Sequence, residues 1–267
     1  METPTVPILG FIIPSYVATY EHLNLLLLGV SKIRKYYQSN KIVIIDDNSP
    51  LPIKNIPDII NDINIHVELA EYKCGEMNPY FYYYKNKYFT RAVIIQDSFH
   101  LKRSLPAVYS IDINFIWFFR HHHNWRSIRA PLTEYNTKNN IINHDDEILD
   151  LINIGLPDNE FKKLFKTLYF DKNAWNGCFG CMSIISHNFL VELQTMTSVL
   201  DIIPYIRHRR DRMAMESIFA VACFYTKKIS IAHNNYFYDA EYTHLNSVEN
   251  GSHFFSTELF VKYSLCR

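Results

Sequence analysis

Three carboxylates stand where short apolar runs stop. Ile44-Ile45 leads into Asp46-Asp47-Asn48-Ser49, and Ile94-Ile95 leads into Gln96-Asp97-Ser98. A third apolar run, Ile8 to Ile13, leads into Pro14-Ser15-Tyr16. Asp46 or Asp47 at such an edge accepts a hydrogen bond from a base N–H or a ribose hydroxyl. Tyr16 offers a ring on which a base stacks. Asp97 has the hard oxygen ligands that hold a divalent ion against a diphosphate. The chemistry these three edges share is nucleotide binding.

Those edges need strands and helices to carry them. Residues 8–13 form an apolar run stopped by Pro14, which reads as a buried strand. From Thr19 to Gln38 the apolar residues Leu23, Leu26, Leu27, Val30, Ile33 and Tyr37 recur at helical steps. Lys41 to Ile45 reads as a second buried strand. Strand, helix, strand with continuous apolar strands predicts a parallel βαβ unit. The pattern continues with strands at 63–69 and 91–95 and an aromatic helix at 79–89. A strand follows at 111–119, a polar loop at 138–143, and helices at 145–154 and 158–168. The chain closes with a strand at 181–185, helices at 188–200 and 209–225, and a last strand at 228–231. In such a sheet, ligands sit at the carboxyl ends of the strands, where the three polar edges fall. No repeat or linker divides the 267 residues. The expected architecture is one α/β domain over 1–267, with a mixed, mainly parallel sheet flanked by helices.

Composition narrows the function. Hydrophobic residues are 48% and charged residues 20%, as in a soluble globular protein. Lys plus Arg and Asp plus Glu are both 27, which argues against a dedicated nucleic-acid or membrane-surface binder. Only seven glycines occur, and none forms G-x-x-x-x-G-K-[ST] or G-x-G-x-x-G. A P-loop ATPase and a standard dinucleotide dehydrogenase are therefore not expected. Five scattered cysteines do not make a disulfide framework. No apolar run reaches the roughly 18–20 residues of a transmembrane segment. The first residues lack the basic flank and apolar core of a signal peptide, so the expected location is the reduced cytoplasm.

Ile12-Ile13-Pro14-Ser15-Tyr16, then a helix, then Ile44-Ile45-Asp46-Asp47-Asn48-Ser49 resembles the opening of glycosyltransferases of the GT-A fold. The type is the inverting family 2, and the resemblance is clearest over 8–100. It implies a nucleotide-sugar-binding half at 8–100 and an acceptor half at 101–267. The implied reaction moves a sugar from a nucleoside-diphosphate donor, UDP-linked, to a hydroxyl of a glycan, protein or other acceptor, with inversion. Pro14, Ser15, Tyr16, Asp46, Asp47, Gln96, Asp97 and Ser98 would hold the donor. An Asp-x-Asp motif for Mn2+ or Mg2+ is expected after the fourth strand. Here Asp97 fills one acidic position, and the other is Ile95 or Phe99. His233 stands where some members add a metal-ligating His, with His253 in a later loop.

The acceptor side falls on Trp175-Asn176-Gly177-Cys178-Phe179-Gly180, which holds two of the seven glycines. The resemblance makes Trp175 a sugar-stacking platform, with Asn176, Gly177 and Gly180 around it. It also implies an acidic base on the following helix, which holds Asp211 and Glu216. Glu216 lies among Met213, Met215, Ile218 and Phe219, a setting that raises a carboxyl pKa and suits a base. Arg209, Arg210 and Arg212 stand close by on the same helix, and one of them, expected to be Arg212, would neutralise the leaving diphosphate. The same spacing also suits an ion pair from Glu216 to Arg212 or Arg209. Cys178-x-x-Cys181 leads into a strand rather than opening a helix, so both read as packing residues. His121-His122-His123 cannot converge on one ion from a strand. Two rival readings remain. One is a GT-A-shaped binding module without catalysis, suggested by the incomplete Asp-x-Asp. The other is a nucleotidyltransferase, opposed by the absence of Gly after the first strand.

Overall fold

The computed structural model describes residues 9–105, 111–119, 144–228, 243–244 and 260–264. Strands β1 (Leu9–Ser15), β2 (Ile42–Asp46), β3 (Ile65–Leu69) and β4 (Arg91–Ile94) run parallel. Strand β5 is Phe99–Leu101, β6 is Ile113–Phe115, β7 is Phe118–Phe119, β8 is Gly177–Cys178 and β9 is Ser183–Ser186. The main sheet has the order β3-β2-β1-β4-β9-β6, with β9 antiparallel to both of its neighbours. Two short strands, β10 (Thr243–His244) and β11 (Phe260–Ser264), extend β5 into a second sheet. The fold is thus the mixed, mainly parallel α/β arrangement expected.

The central strands are apolar along their whole length because both faces are covered. Phe11 and Ile13 face one cluster, and Ile12 faces the other. Ile42 and Ile44 alternate in the same way with Val43 and Ile45. Helix α1 (Tyr20–Tyr36) covers the first face with Leu23, Leu26, Val30 and Ile33. It starts at Thr19, whose hydroxyl accepts the His22 N–H. Helices α3 (Asn78–Asn86), α4 (His144–Gly155), α5 (Glu160–Phe170), α6 (His187–Thr197) and α7 (Arg209–Lys227) cover the second face. Helix α2 (Pro57–Ile60) and the 3-10 turns at Ile53–Asn55, Gly75–Met77, Phe179–Cys181 and Val199–Tyr205 connect them. No helix of the described residues is long and apolar enough to cross a membrane.

Some boundaries differ from expectation. β1 does not stop at Pro14 but continues to Ser15. Phe11 N–H bonds toward β2 and the Ser15 carbonyl accepts from Asp47, so Pro14 faces the β4 side. The β1–β4 ladder has already ended at Ile12 and Ile94, so the missing N–H breaks no bond. The expected strand at 111–119 is two short strands, β6 and β7, broken at Ile116-Trp117. Of the expected strand at 228–231, Lys228 ends α7 in the left-handed conformation, and the rest lies outside the described residues. The expected loop at 138–143 lies outside them too.

Candidate functional site

The carboxyl ends of β1, β2 and β4 converge. Ser15 closes β1, and its hydroxyl donates to Asp97 Oδ2 at 2.9 Å, joining the first and third edges. Its carbonyl accepts the Asp47 N–H at 2.8 Å, joining the first and second. Tyr16 follows with 52% of its surface exposed, open at the rim of this edge.

Asp46 and Asp47 have different tasks. Asp46 Oδ1 accepts the Ser49 N–H at 2.8 Å, which closes the turn on itself. Ser49 then accepts the Val17 N–H at 2.8 Å, and Asn48, at φ 62°, donates to the Ala70 carbonyl at 3.1 Å. Asp47 instead points across to the turn at Gly75–Met77. Asn78 Nδ2 donates to its Oδ1 at 3.0 Å, and the Gly75 backbone lies on the same side of the carboxylate. Burial pushes the Asp47 carboxyl up to about 6; Arg212 and Asn78 oppose the rise, and Glu76 adds to it. Gly75, Glu76 and Asn78 were not singled out in the sequence. The signal available was Gly75 itself, one of seven glycines, at φ 54°.

The third edge meets the loop before β9. A Cβ on Gly180 would fall 2.7 Å from Gln96 Nε2, so that side chain lies against the glycine backbone. Gly180, at φ 59°, and Cys181, at φ 50°, are both left-handed, which turns the loop back toward the sheet. The Gly180 N–H donates to Glu216 Oε1 at 2.8 Å. Glu216 is half-buried on α7, one turn after Arg212. Ser98 is half-buried in the turn after Asp97, which the Phe99 N–H closes on the Gln96 carbonyl. Phe179, next to Gly180, lies against Trp117 with ring centroids 4.0 Å apart.

Trp175 departs from expectation, and Asp211, Asn176 and Gly177 take the places that follow. Trp175 is 2% exposed and is no surface platform. Its indole N–H donates to the Leu168 and Tyr169 carbonyls at 3.1 and 3.3 Å, capping the C-terminal end of α5. Asp211 accepts the Arg207 and His208 N–H groups at 2.7 and 2.8 Å, so it caps the start of α7. Gly177 is buried in β8, paired with Phe119, and Asn176 lies just before it. The two cysteines of C-x-x-C are fully buried with their thiols pushed far up, as packing residues are. His121-His122-His123, His233 and His253 lie outside the described residues.

Among the described residues, no group of three or more His, Cys, Asp or Glu could hold a metal ion. Ile95 and Phe99, the alternative acidic positions, are each 1% exposed and belong to the core. Asp97 therefore offers one hard oxygen ligand. That fits Mg2+ or Mn2+ held mainly by substrate phosphates and water, which needs only one or two carboxylates.

No family model and no curated protein matches the chain. Solved structures do match it in part. The S. aureus TarS segment 1–349 in complex with UDP is 14% identical over 36% of this chain and 29% of that chain, at a TM-score of 0.30. This chain therefore spans less than a third of the TarS chain it matches. The bifunctional glycosyltransferase WbbM is 10% identical over 89% of this chain and 40% of that one, at 0.44. The galactosyltransferase LgtC, in complex with donor and acceptor sugar analogues, is 7% identical over 96% and 87%, at 0.44. WbbM and LgtC are described as glycosyltransferases, and the likeness of the chain to them is one of α/β fold at low identity.

Proposed function

We propose that this chain is a nucleotide-sugar-dependent glycosyltransferase of the GT-A type, taking a UDP-linked hexose and a hydroxyl acceptor. One observation carries the reading. The polar ends of β1, β2 and β4 meet both the Gly180 loop and a carboxylate from α7, through Ser15–Asp97, Gln96 on Gly180, and Glu216 on the Gly180 N–H. A nucleotide lies in the crevice outside such strand ends, and on the family resemblance its diphosphate falls on the β4 side, at Asp97.

On this reading, Tyr16 stacks on the base and Asp47 accepts from its N–H or from the ribose. Pro14 and Asp46 shape the backbone under them. Ser15 orients Asp97, and Gln96 and Ser98 flank it. Asp97 faces the diphosphate; a divalent ion held there would offset the charge of the leaving group. Glu216 takes the proton from the acceptor hydroxyl, which opens an inverting displacement at the anomeric carbon. Its position beside the left-handed Gly180 turn holds it at the junction of the two halves. Phe179 and Trp117 take the place first given to Trp175 as the apolar wall for a sugar ring.

The test is nucleotide release. The purified chain is incubated with UDP-, GDP- and other nucleotide-sugars, with and without Mn2+, beside Asp97→Asn and Glu216→Gln. Slow cleavage of one donor, lost in Asp97→Asn and dependent on Mn2+, is the expected result. Release that persists without Mn2+ removes the ion from the account and keeps the transferase. No release from any donor, with no thermal shift by any nucleotide, favours a binding module without catalysis.

A further inference from the structure

Arg212 reaches from α7 back to the turn that holds Asp47. A Cβ on Gly75 would fall 2.9 Å from Arg212 Cδ and 3.0 Å from Nη1, so the side chain lies directly over that glycine. Gly75 in turn faces the Asp47 carboxylate, whose Oδ1 accepts from Asn78 Nδ2 at 3.0 Å. The groups facing Asp47 come from four places. They are Arg212 on α7, Gly75 and Glu76 in the 3-10 turn, Asn78 on α3, and the Cys74 thiol before the turn. Arg212 is the one cation in this set. Glu76 brings a second carboxyl to Asp47, and its Oε2 is buried with no hydrogen-bond partner among the described residues. Asp47 thus lies between a carboxyl and a guanidinium in a partly buried corner.

We propose that Arg212 is a positioning residue of the nucleotide site, acting through Asp47 by keeping that carboxylate anionic and seated on the Gly75 turn. The proposal rests on the reading of this edge as a nucleotide site. The physical ground is simple. Asp47 is 8% exposed, and burial beside Glu76 favours its neutral form. A neutral carboxyl carries its own proton and loses the acceptor strength that a base N–H or a ribose hydroxyl requires. Arg212 is what opposes this by charge. Its place one turn before Glu216 means that one face of α7 reaches both the Asp47 corner and the Gly180 loop.

The role separates from a packing role by pH. UDP is titrated into the full chain between pH 5 and pH 8, for wild type, Arg212→Lys and Arg212→Met. In parallel, the Asp47 carboxyl is followed by 13C NMR without nucleotide. An opposite charge nearby lowers a carboxyl by roughly 1–3 units, so its removal should move the midpoint up by about one unit or more. The expected result is that the acid limb of UDP binding and the Asp47 titration both move up in Arg212→Met. Arg212→Lys should restore most of the shift. Arg212→Gln is the second neutral variant if Arg212→Met does not fold. Parallel curves with one midpoint, differing only in affinity, would make Arg212 a packing residue and overturn the proposal. An Asp47 titration unchanged in the neutral variants overturns it whatever UDP does. If UDP binds none of the proteins while the Asp47 titration still moves, the nucleotide reading fails and the action of Arg212 on Asp47 stands.

Discussion

Asp47 shows how one buried carboxylate couples stability to function. Its pKa is pushed up to about 6, chiefly by burial. A carboxyl that titrates higher in the folded chain than in the unfolded one favours folding while protonated. That contribution is complete below the unfolded value near 4 and is lost as pH rises through about 6. Asp47→Asn removes the titration and keeps an acceptor for the Asn78 amide. We expect its Tm to gain on wild type between pH 5 and pH 7.5, while UDP binding falls. Thermal unfolding at the two pH values checks this; a constant offset between the proteins would contradict it. Glu216 makes a second residue-scale prediction. Glu216→Gln should lower kcat roughly 10²–10⁴-fold with little change in donor KM, the range for loss of a general base. A loss confined to donor KM would move Glu216 out of the catalytic step.

At the scale of elements, Trp175, expected beside a sugar, is instead packed against the C-terminal end of α5. Trp175 caps α5 from inside the core. Trp175→Ala is therefore expected to cost about 3–5 kcal/mol of stability, as large core aromatics do. Trp175→Phe should retain acceptor KM. Phe179→Ala should instead raise acceptor KM and leave the fold largely intact, because its ring is half-buried beside Gly180. Steady-state kinetics beside denaturant unfolding separate the two. These tasks differ in how legible they were. The Asp46–Ser49 turn and the Gln96–Ser98 turn were readable, since a continuous apolar run followed by turn chemistry has one meaning in a parallel sheet. Trp175 was not, because a Trp beside glycines looks the same whether its indole faces solvent or a helix end. Asp211 was hidden for a similar reason: the start of α7 was placed correctly, but an Asp at the third position also caps. Glu76 and Asn78 lie in a segment with no periodic signal, and their meeting with Asp47 is a tertiary fact.

At the scale of the molecule, the sheet lies between two hydrophobic cores among the described residues. One holds α1, and the other holds α3 to α7. Gly10 on central β1 marks how tightly the second face is closed. A Cβ there would fall 2.2 Å from the Phe89 ring. Gly10→Ala is expected to destabilise the whole fold by about 1–3 kcal/mol through overpacking, with nucleotide affinity kept at low temperature. Denaturant unfolding and UDP titration at 10 °C together would show it. The expected order of strands and helices was legible because both faces of the central strands are covered, which forces continuous apolar runs. The reversed direction of β9 within the otherwise parallel set was not, since direction leaves no mark on a short strand.

The joined ends of β1, β2 and β4 are proposed to hold a nucleotide-sugar, and a titration of the 15N-labelled chain with UDP-hexoses, read residue by residue, tests this. Saturable shifts are expected at Tyr16, Asp47, Gly75, Gln96, Asp97 and Gly180, with none at Trp175. Saturable shifts elsewhere with this edge silent, or no shift with any nucleotide-sugar, would contradict it.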